Sequence, residues 1–271
     1  MRLGIVGLPN SGKTTIFNAL TGQTLETGAA TSGQFELHTA VVNVPDARVE
    51  KLIAMYKPRK TNYARVTYVD IGGLDKGIGE GGLSGQFRNE LSQLDGYLHV
   101  IRAFPDESVP HPYETLDPQR DLEALDSEFL LTDLVSIENR LSKLADELRV
   151  KGKKVAGEVG SEVEFLERLK AQLEAEQPLR DLDLSDDEIK SLRGYGFLTL
   201  KPALVVLNMG ETAQDPSTIF NYEHRNTRLV GLQGKIEAEI AQLDADDAQM
   251  FMDEYGITER SAEKVIRLSY E

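Results

Sequence analysis

Cysteine is absent from the 271-residue chain, so disulfides, thiolate zinc sites and cysteine nucleophiles are all excluded. Its absence also fits a reducing, cytoplasmic setting. No apolar run approaches the length that crosses a bilayer, so no membrane partner is expected. The N-terminal MRLGIVGLPN carries a short apolar stretch that suits a first buried strand better than a signal-peptide core. H-E-x-x-H and G-x-S-x-G are missing too, and the glycine loop after the first apolar stretch does not follow G-x-G-x-x-G, which sets aside a zinc protease, a Ser-His-Asp hydrolase and a Rossmann dehydrogenase. Positive charge is scarce: 30 Lys and Arg face 45 Asp and Glu, a formal net charge of −15. Such a surface repels polyanions at long range and argues against wholesale coating of nucleic acid, though not against a local basic patch.

What remains is ordinary globular material, 40% hydrophobic and 28% charged. Short strands are expected at Arg2 to Val6, Phe35 to Val44, 64–71, 96–104, 198–208 and 227–234. Helices are expected from Lys13 to Leu20, after Pro45–Asp46, at 86–94, at 235–243 and at 259–271, where the pattern runs to Glu271 with no C-cap. Strand and helix in alternation predict a doubly wound, mostly parallel α/β sheet covered on both faces.

That rhythm breaks after Asp121. Leu134, Ile137, Leu141, Leu144 and Leu148 are spaced 3, 4, 3 and 4 apart, and Leu166, Leu169 and Leu173 form a shorter matching seam. The spacing predicts an antiparallel helical coiled-coil hairpin inserted into the α/β domain. The expected division is 1–120 plus 198–271 for the α/β domain and 121–197 for the arm. Arg149, Lys151, Lys153 and Lys154 crowd the tip between the two seams. They read either as a solvated turn or as a binding surface for RNA or an acidic protein.

Gly7, Gly12, Lys13 and Thr14 fit G-x-x-x-x-G-K-[ST] between a strand and a helix, the context that a phosphate-binding loop requires. The glycines let backbone N–H groups turn toward a polyanion, and the helix start adds its unsatisfied donors. Asn10, Ser11, Gly12, Lys13, Thr14 and Thr15 are therefore the expected phosphate binders, with Lys13 on the β/γ-phosphates and Thr14 on Mg²⁺. Asp70 and Gly73 match D-x-x-G at the end of an apolar strand. Asp70 is the expected partner of the Mg²⁺ shell and Gly73 a γ-phosphate contact. Where guanine readers carry Asn-Lys-x-Asp, this chain has Asn208-Met209-Gly210-Glu211. Asn208, Met209 and Glu211 are the candidate base contacts, guanine selectivity is weakened, and adenine is admitted.

GIVGLPNSGKTTIFNALTG, VVNVPDARVEKL, YVDIGGLDKG, FLTLKPALVVLN and KIEAEIAQL together resemble the YchF family of Obg-like P-loop NTPases along the whole chain. The resemblance implies a GTPase-type domain with a coiled-coil insertion. It further implies slow hydrolysis of ATP, usually in preference to GTP, and association with ribosomes or stress responses. It makes Leu74 the apolar residue after D-x-x-G, and His111 the substitute that orients attacking water; the alternative is a surface histidine between two prolines. Three departures stand out. Gln34 occupies the position of the first-switch threonine, with Thr31 or Thr39 available only after a register shift. Gln233-Gly234-Lys235 replaces Ser-Ala-Lys, and the family's C-terminal TGS-type β-grasp domain is missing, which suggests truncation or a shorter lineage. The competing reading is a nucleotide sensor or scaffold that does not hydrolyse and works through its arm.

Overall fold

The computed structural model describes all residues except 28–36, 72–82, 84, 152–155, 211–213, 255–256 and 258. Gly73, Leu74, Thr31, Gln34, Lys153, Lys154 and Glu211 therefore lie outside the described residues. Strands β1 (Arg2–Val6), β2 (Leu37–Asn43), β3 (Arg65–Ile71), β4 (Gly96–Ala103), β5 (Ala203–Met209) and β6 (Thr227–Gln233) form one sheet in the order β2-β3-β1-β4-β5-β6. All pairings are parallel except β2 with β3, which is antiparallel at the sheet edge. The doubly wound, mostly parallel sheet expected from the alternating pattern is what the chain adopts.

Parallel strands need crossover helices, and those helices bury both sheet faces. α1 (Lys13–Thr21) and α9 (Ser261–Tyr270) cover one face, where Ile16, Phe17, Val265 and Ile266 meet Leu3, Ile5, Tyr68 and Val100. α3 (Gly85–Ser92) and the start of α4 (Pro118–Lys151) cover the other, through Phe87, Leu91, Leu125 and Phe129. β4 and β5 are buried almost end to end, which explains their continuous apolar reading. α2 (Ala47–Tyr56) follows β2, with the Asp46 side chain accepting from the Arg48 N–H at its start, as Pro45–Asp46 predicted. α7 (Gly234–Ile240) follows β6.

α4 is 34 residues long, about 50 Å at the helical rise. It runs from the sheet into a hairpin with α5 (Ala156–Glu174). Both predicted seams meet there: Ile137, Leu144, Leu166, Leu169 and Leu173 are buried together, with Leu134, Leu141 and Leu148 packed against them. α6 (Asp186–Leu192) starts at a capping box built by Ser185 and Glu188 and joins the hairpin through Leu192 in the same cluster and the Arg168–Glu188 ion pair.

Two expectations need correction. Residues 198–202 do not belong to the fifth strand, which begins at Ala203. Their backbone is turned instead toward the carboxylate of Asp133, buried in α4, which accepts from the N–H groups of Leu198 (2.9 Å) and Thr199 (2.8 Å) and from Thr199 Oγ1 (2.7 Å). Pro202, just before the strand, has no N–H to give the ladder. α8 (Ala245–Glu254) was not anticipated; none of its residues is buried, so it leaves no strong apolar stripe in the sequence.

His99 lies in the middle of β4 and is fully buried between Tyr97 and Phe129. Neither ring nitrogen has a hydrogen-bond partner among the described residues, and Asp126 Oδ1 stands 3.6 Å from Nδ1. Burial, helped by Arg180, pulls its pKa down from 6.5 to about 3, so the ring is held neutral. With a folded pKa below the unfolded one, stability is full above pH 6.5 and is lost as pH falls toward 3. At pH 5 this histidine is expected to cost about 2 kcal/mol. Urea unfolding at pH 7 and pH 5 should therefore show a smaller acid loss for His99→Leu than for the parent chain, and equal losses would refute the assignment.

Candidate nucleotide-binding site

β1 lies between β3 and β4, the point at which the chain reverses direction across the sheet. Ligands of open α/β sheets sit at the carboxyl ends of such strands. The loop after β1 supplies the phosphate cradle. Asn10 and Gly12 have positive φ (60° and 92°), which turns the chain tightly into α1. Gly12 caps that helix without a side-chain bond, and its carbonyl accepts from the Ile16 N–H at 2.9 Å. The N–H groups of Lys13, Thr14 and Thr15 therefore precede the intrahelical ladder, and no acidic residue occupies the first turn. Such a helix start suits an anion.

Lys13 folds back over the loop, its Nζ donating to the carbonyls of Gly7 (3.1 Å) and Leu8 (2.9 Å). Thr14 Oγ1 donates to Asp70 Oδ2 at 2.9 Å, so two residues 56 apart in sequence meet at adjacent strand ends. Asp70 is buried, which raises its pKa, while Thr14, Lys13 and His38 pull it back toward the charged form. A hydroxyl and a buried carboxylate in contact, with a single lysine close by, are hard oxygen donors suited to Mg²⁺.

Asn208 does something the sequence did not disclose. Its side chain is buried, Nδ2 donating to the Ser11 carbonyl at 2.9 Å and Oδ1 accepting from the Gly234 N–H at 3.2 Å. It clamps the phosphate loop to the start of α7. Gly12 and Gly234 leave room for this amide, since a Cβ on either would overlap it. Met209 was expected beside the base, but strand alternation sends it to the opposite face. There it is buried with Ile101, Leu122, Val205 and Phe220, and its Sδ accepts from the Gln214 N–H at 3.4 Å.

The loop after β4 reaches the cradle directly, Asn10 Nδ2 donating to the Pro110 carbonyl at 2.9 Å. Arg102, buried in β4, holds that loop: Nε, Nη1 and Nη2 donate to the carbonyls of Phe104 (3.1 Å), Val109 (2.9 Å) and Asp106 (3.0 Å). An arginine within an apolar strand was the available signal for this role. His111 follows Pro110, and both its ring nitrogens are engaged. Nδ1 accepts from the Tyr113 N–H (3.1 Å), which leaves the proton on Nε2 to donate to Asp121 Oδ2 (2.8 Å). Asp121, also bound by Arg120, lies in the first turn of α4. The histidine thus joins the loop beside the cradle to the root of the helical arm. Thr39 sits within the β2 ladder opposite Val69.

Comparison with known proteins bears on this geometry. Residues 2–139 match the family described as 50S ribosome-binding GTPase. The Bacillus subtilis (strain 168) protein named ribosome-binding ATPase YchF is 34% identical over 276 residues, spanning 98% of this chain and 74% of that protein. Its Escherichia coli O157:H7 namesake is 34% identical over 275 residues, spanning 99% and 75%. The solved structure of the Schizosaccharomyces pombe YchF GTPase superposes with a TM-score of 0.80 at 28% identity, covering 100% of this chain and 75% of that one.

Proposed function

The chain belongs to the YchF family, and we propose that it is a Mg²⁺-dependent P-loop nucleoside triphosphatase of slow turnover that works in association with ribosomes. The observation that carries this reading is the Thr14–Asp70 contact beside Lys13 at the start of α1. The backbone donors of residues 12–15 would bind and orient the phosphates, and Lys13 would leave the Gly7 and Leu8 carbonyls for the β/γ-phosphates. Thr14 and Asp70 would hold Mg²⁺, which neutralises phosphate charge when bound. With Asn208 committed to the clamp and Met209 to the core, base recognition falls to Glu211 and its surroundings. This supports ATP over a strict guanine requirement.

His111 is proposed to orient attacking water only after leaving Asp121, so hydrolysis and the root of the arm would move together. The same contacts favour a second reading: while both ring nitrogens stay engaged, the protein binds nucleotide without turning it over. Ribosome contact is proposed at the arm tip, through Arg149, Lys151, Lys153 and Lys154. Arg149 is exposed and only loosely paired, at 3.4 Å, with Asp146.

Titration with fluorescent ATP and GTP analogues plus Mg²⁺ tests this reading, with Lys13→Ala as the control. Expected is tighter binding of the ATP analogue, weakened a hundredfold or more in Lys13→Ala, and slow phosphate release under excess ATP. Binding without phosphate release supports the second reading. No binding of either analogue refutes both.

A further inference from the structure

Between Asp46 and Arg65 the charge balance of the chain is inverted. Arg48, Lys51, Lys57, Arg59, Lys60 and Arg65 face only Asp46 and Glu50, a net charge of +4 in a chain of −15. All six cations are exposed. Arg48 is paired with Asp46 at 2.7 Å, whereas the other five have no ion-pair partner among the described residues. Glu50 accepts from Tyr63 Oη at 2.7 Å, a neutral partner that spares the cations.

The helix within this segment is unusually bare. No residue of α2 is buried, and Leu52, Met55 and Tyr56 are 53%, 72% and 73% exposed. At 100° per residue the outward face runs Lys51, Met55, Arg48, Leu52, Tyr56, with Val49 and Ile53 half-buried beneath. Cations and apolar side chains alternate around that face. A membrane-surface helix instead segregates its apolar side from its charged side. Alternation of cations with an exposed aromatic ring suits a strand of nucleic acid, whose phosphates take the cations while its bases stack on the ring.

Its place in the fold separates the surface from the nucleotide. β2 runs antiparallel to β3, with Asn43 opposite Arg65 and His38 opposite Asp70. α2 therefore leaves the end of the sheet remote from the phosphate cradle, roughly 17 Å along β3 from Asp70.

We propose that α2 and residues 57–65 form a docking surface for single-stranded RNA, distinct from both the nucleotide site and the arm tip. That the nucleic acid is RNA rests on the ribosome-associated reading above; the surface itself rests on charge and exposure.

The test is fluorescence anisotropy of an unstructured 20-nucleotide RNA with the full chain across a salt series. The triple variant Lys57→Gln/Arg59→Gln/Lys60→Gln should bind at least tenfold more weakly at 0.1 M salt. Its log-log salt slope should be shallower by about 2, given roughly 0.7 per phosphate contact on a single strand. Tyr56→Ser should weaken binding with the slope unchanged, since a base stack carries no counterions. Lys190→Gln/Arg193→Gln, at the C-terminal end of α6, should bind RNA like the parent. ATP-analogue affinity should be the same in all of these variants, which keeps a failure here distinct from a failure of the nucleotide reading. Parent-like RNA binding by the triple variant overturns the proposal, as does parent binding no tighter than the triple variant's. So does loss of phosphatidylserine-vesicle binding in the triple variant with RNA binding retained.

Discussion

Gly12→Ala is expected to abolish measurable nucleotide binding and to destabilise the fold by about 3 kcal/mol or more. Two causes add. The native φ of 92° lies where an L-residue with a Cβ is strained by about 1–2 kcal/mol. The new methyl would also occupy the space of Asn208 Nδ2, the atom that holds the Ser11 carbonyl. Displacing that amide leaves the Ser11 carbonyl and the Gly234 N–H buried without partners, at about 1–3 kcal/mol each. A cradle that aligns several N–H groups on one anion cannot absorb such a shift, so affinity should fall with stability. Gly234→Ala separates the causes, because its added Cβ would lie 2.5 Å from Asn208 Oδ1 and 2.9 Å from Ile16 Cδ1, with no positive φ involved. If both variants lose ATP-analogue binding, the Asn208 clamp is the shared cause. Parent-like binding by Gly234→Ala would mean the clamp is dispensable. Equilibrium urea unfolding supplies the stability half of the measurement.

Asp133→Ala should cost a comparable amount, about 3–5 kcal/mol, without touching the nucleotide site. Asp133 is 1% exposed, and its carboxylate satisfies three donors at the junction between the arm and the strand that carries Asn208. Truncation strands the N–H groups of Leu198 and Thr199 and the Thr199 hydroxyl in an interior without substitutes. Asp133→Asn keeps the shape but offers an NH₂ where one acceptor oxygen stood, and should recover only part of the loss. Urea unfolding gives the magnitude, and hydrogen exchange at the amides of Leu198 and Thr199 gives the location. Unchanged exchange at those two amides would show that the turn is held by something other than this carboxylate.

Local signals were strong wherever the chemistry is local. The phosphate loop, the Asp46 helix start and the leucine seams of the arm each declare themselves within a few residues. Spacing alone states their geometry: four residues between glycines make a turn, and 3–4 spacing makes a helical seam. β4 and β5 were legible for a related reason, since strands buried on both faces have to be apolar throughout.

Asn208 shows where such reading stops. Placed at a strand end, it could face a base or the protein, and only the convergence of the loop after β1 and the start of α7 on its amide decides that it clamps Ser11 to Gly234. His111 is similar, because its acceptor Asp121 belongs to a helix whose packing against β4 brings them together. The false start of the fifth strand has the same origin: an apolar run reads as strand until Asp133, 65 residues earlier, offers its backbone a better acceptor. Sequence by itself determined most of the elements, the sheet type, the phosphate loop and the acidic character of this protein. Tertiary structure alone decided which polar groups are spent holding the site together, because a hydrogen bond's partner is chosen by distance in space and not by distance along the chain.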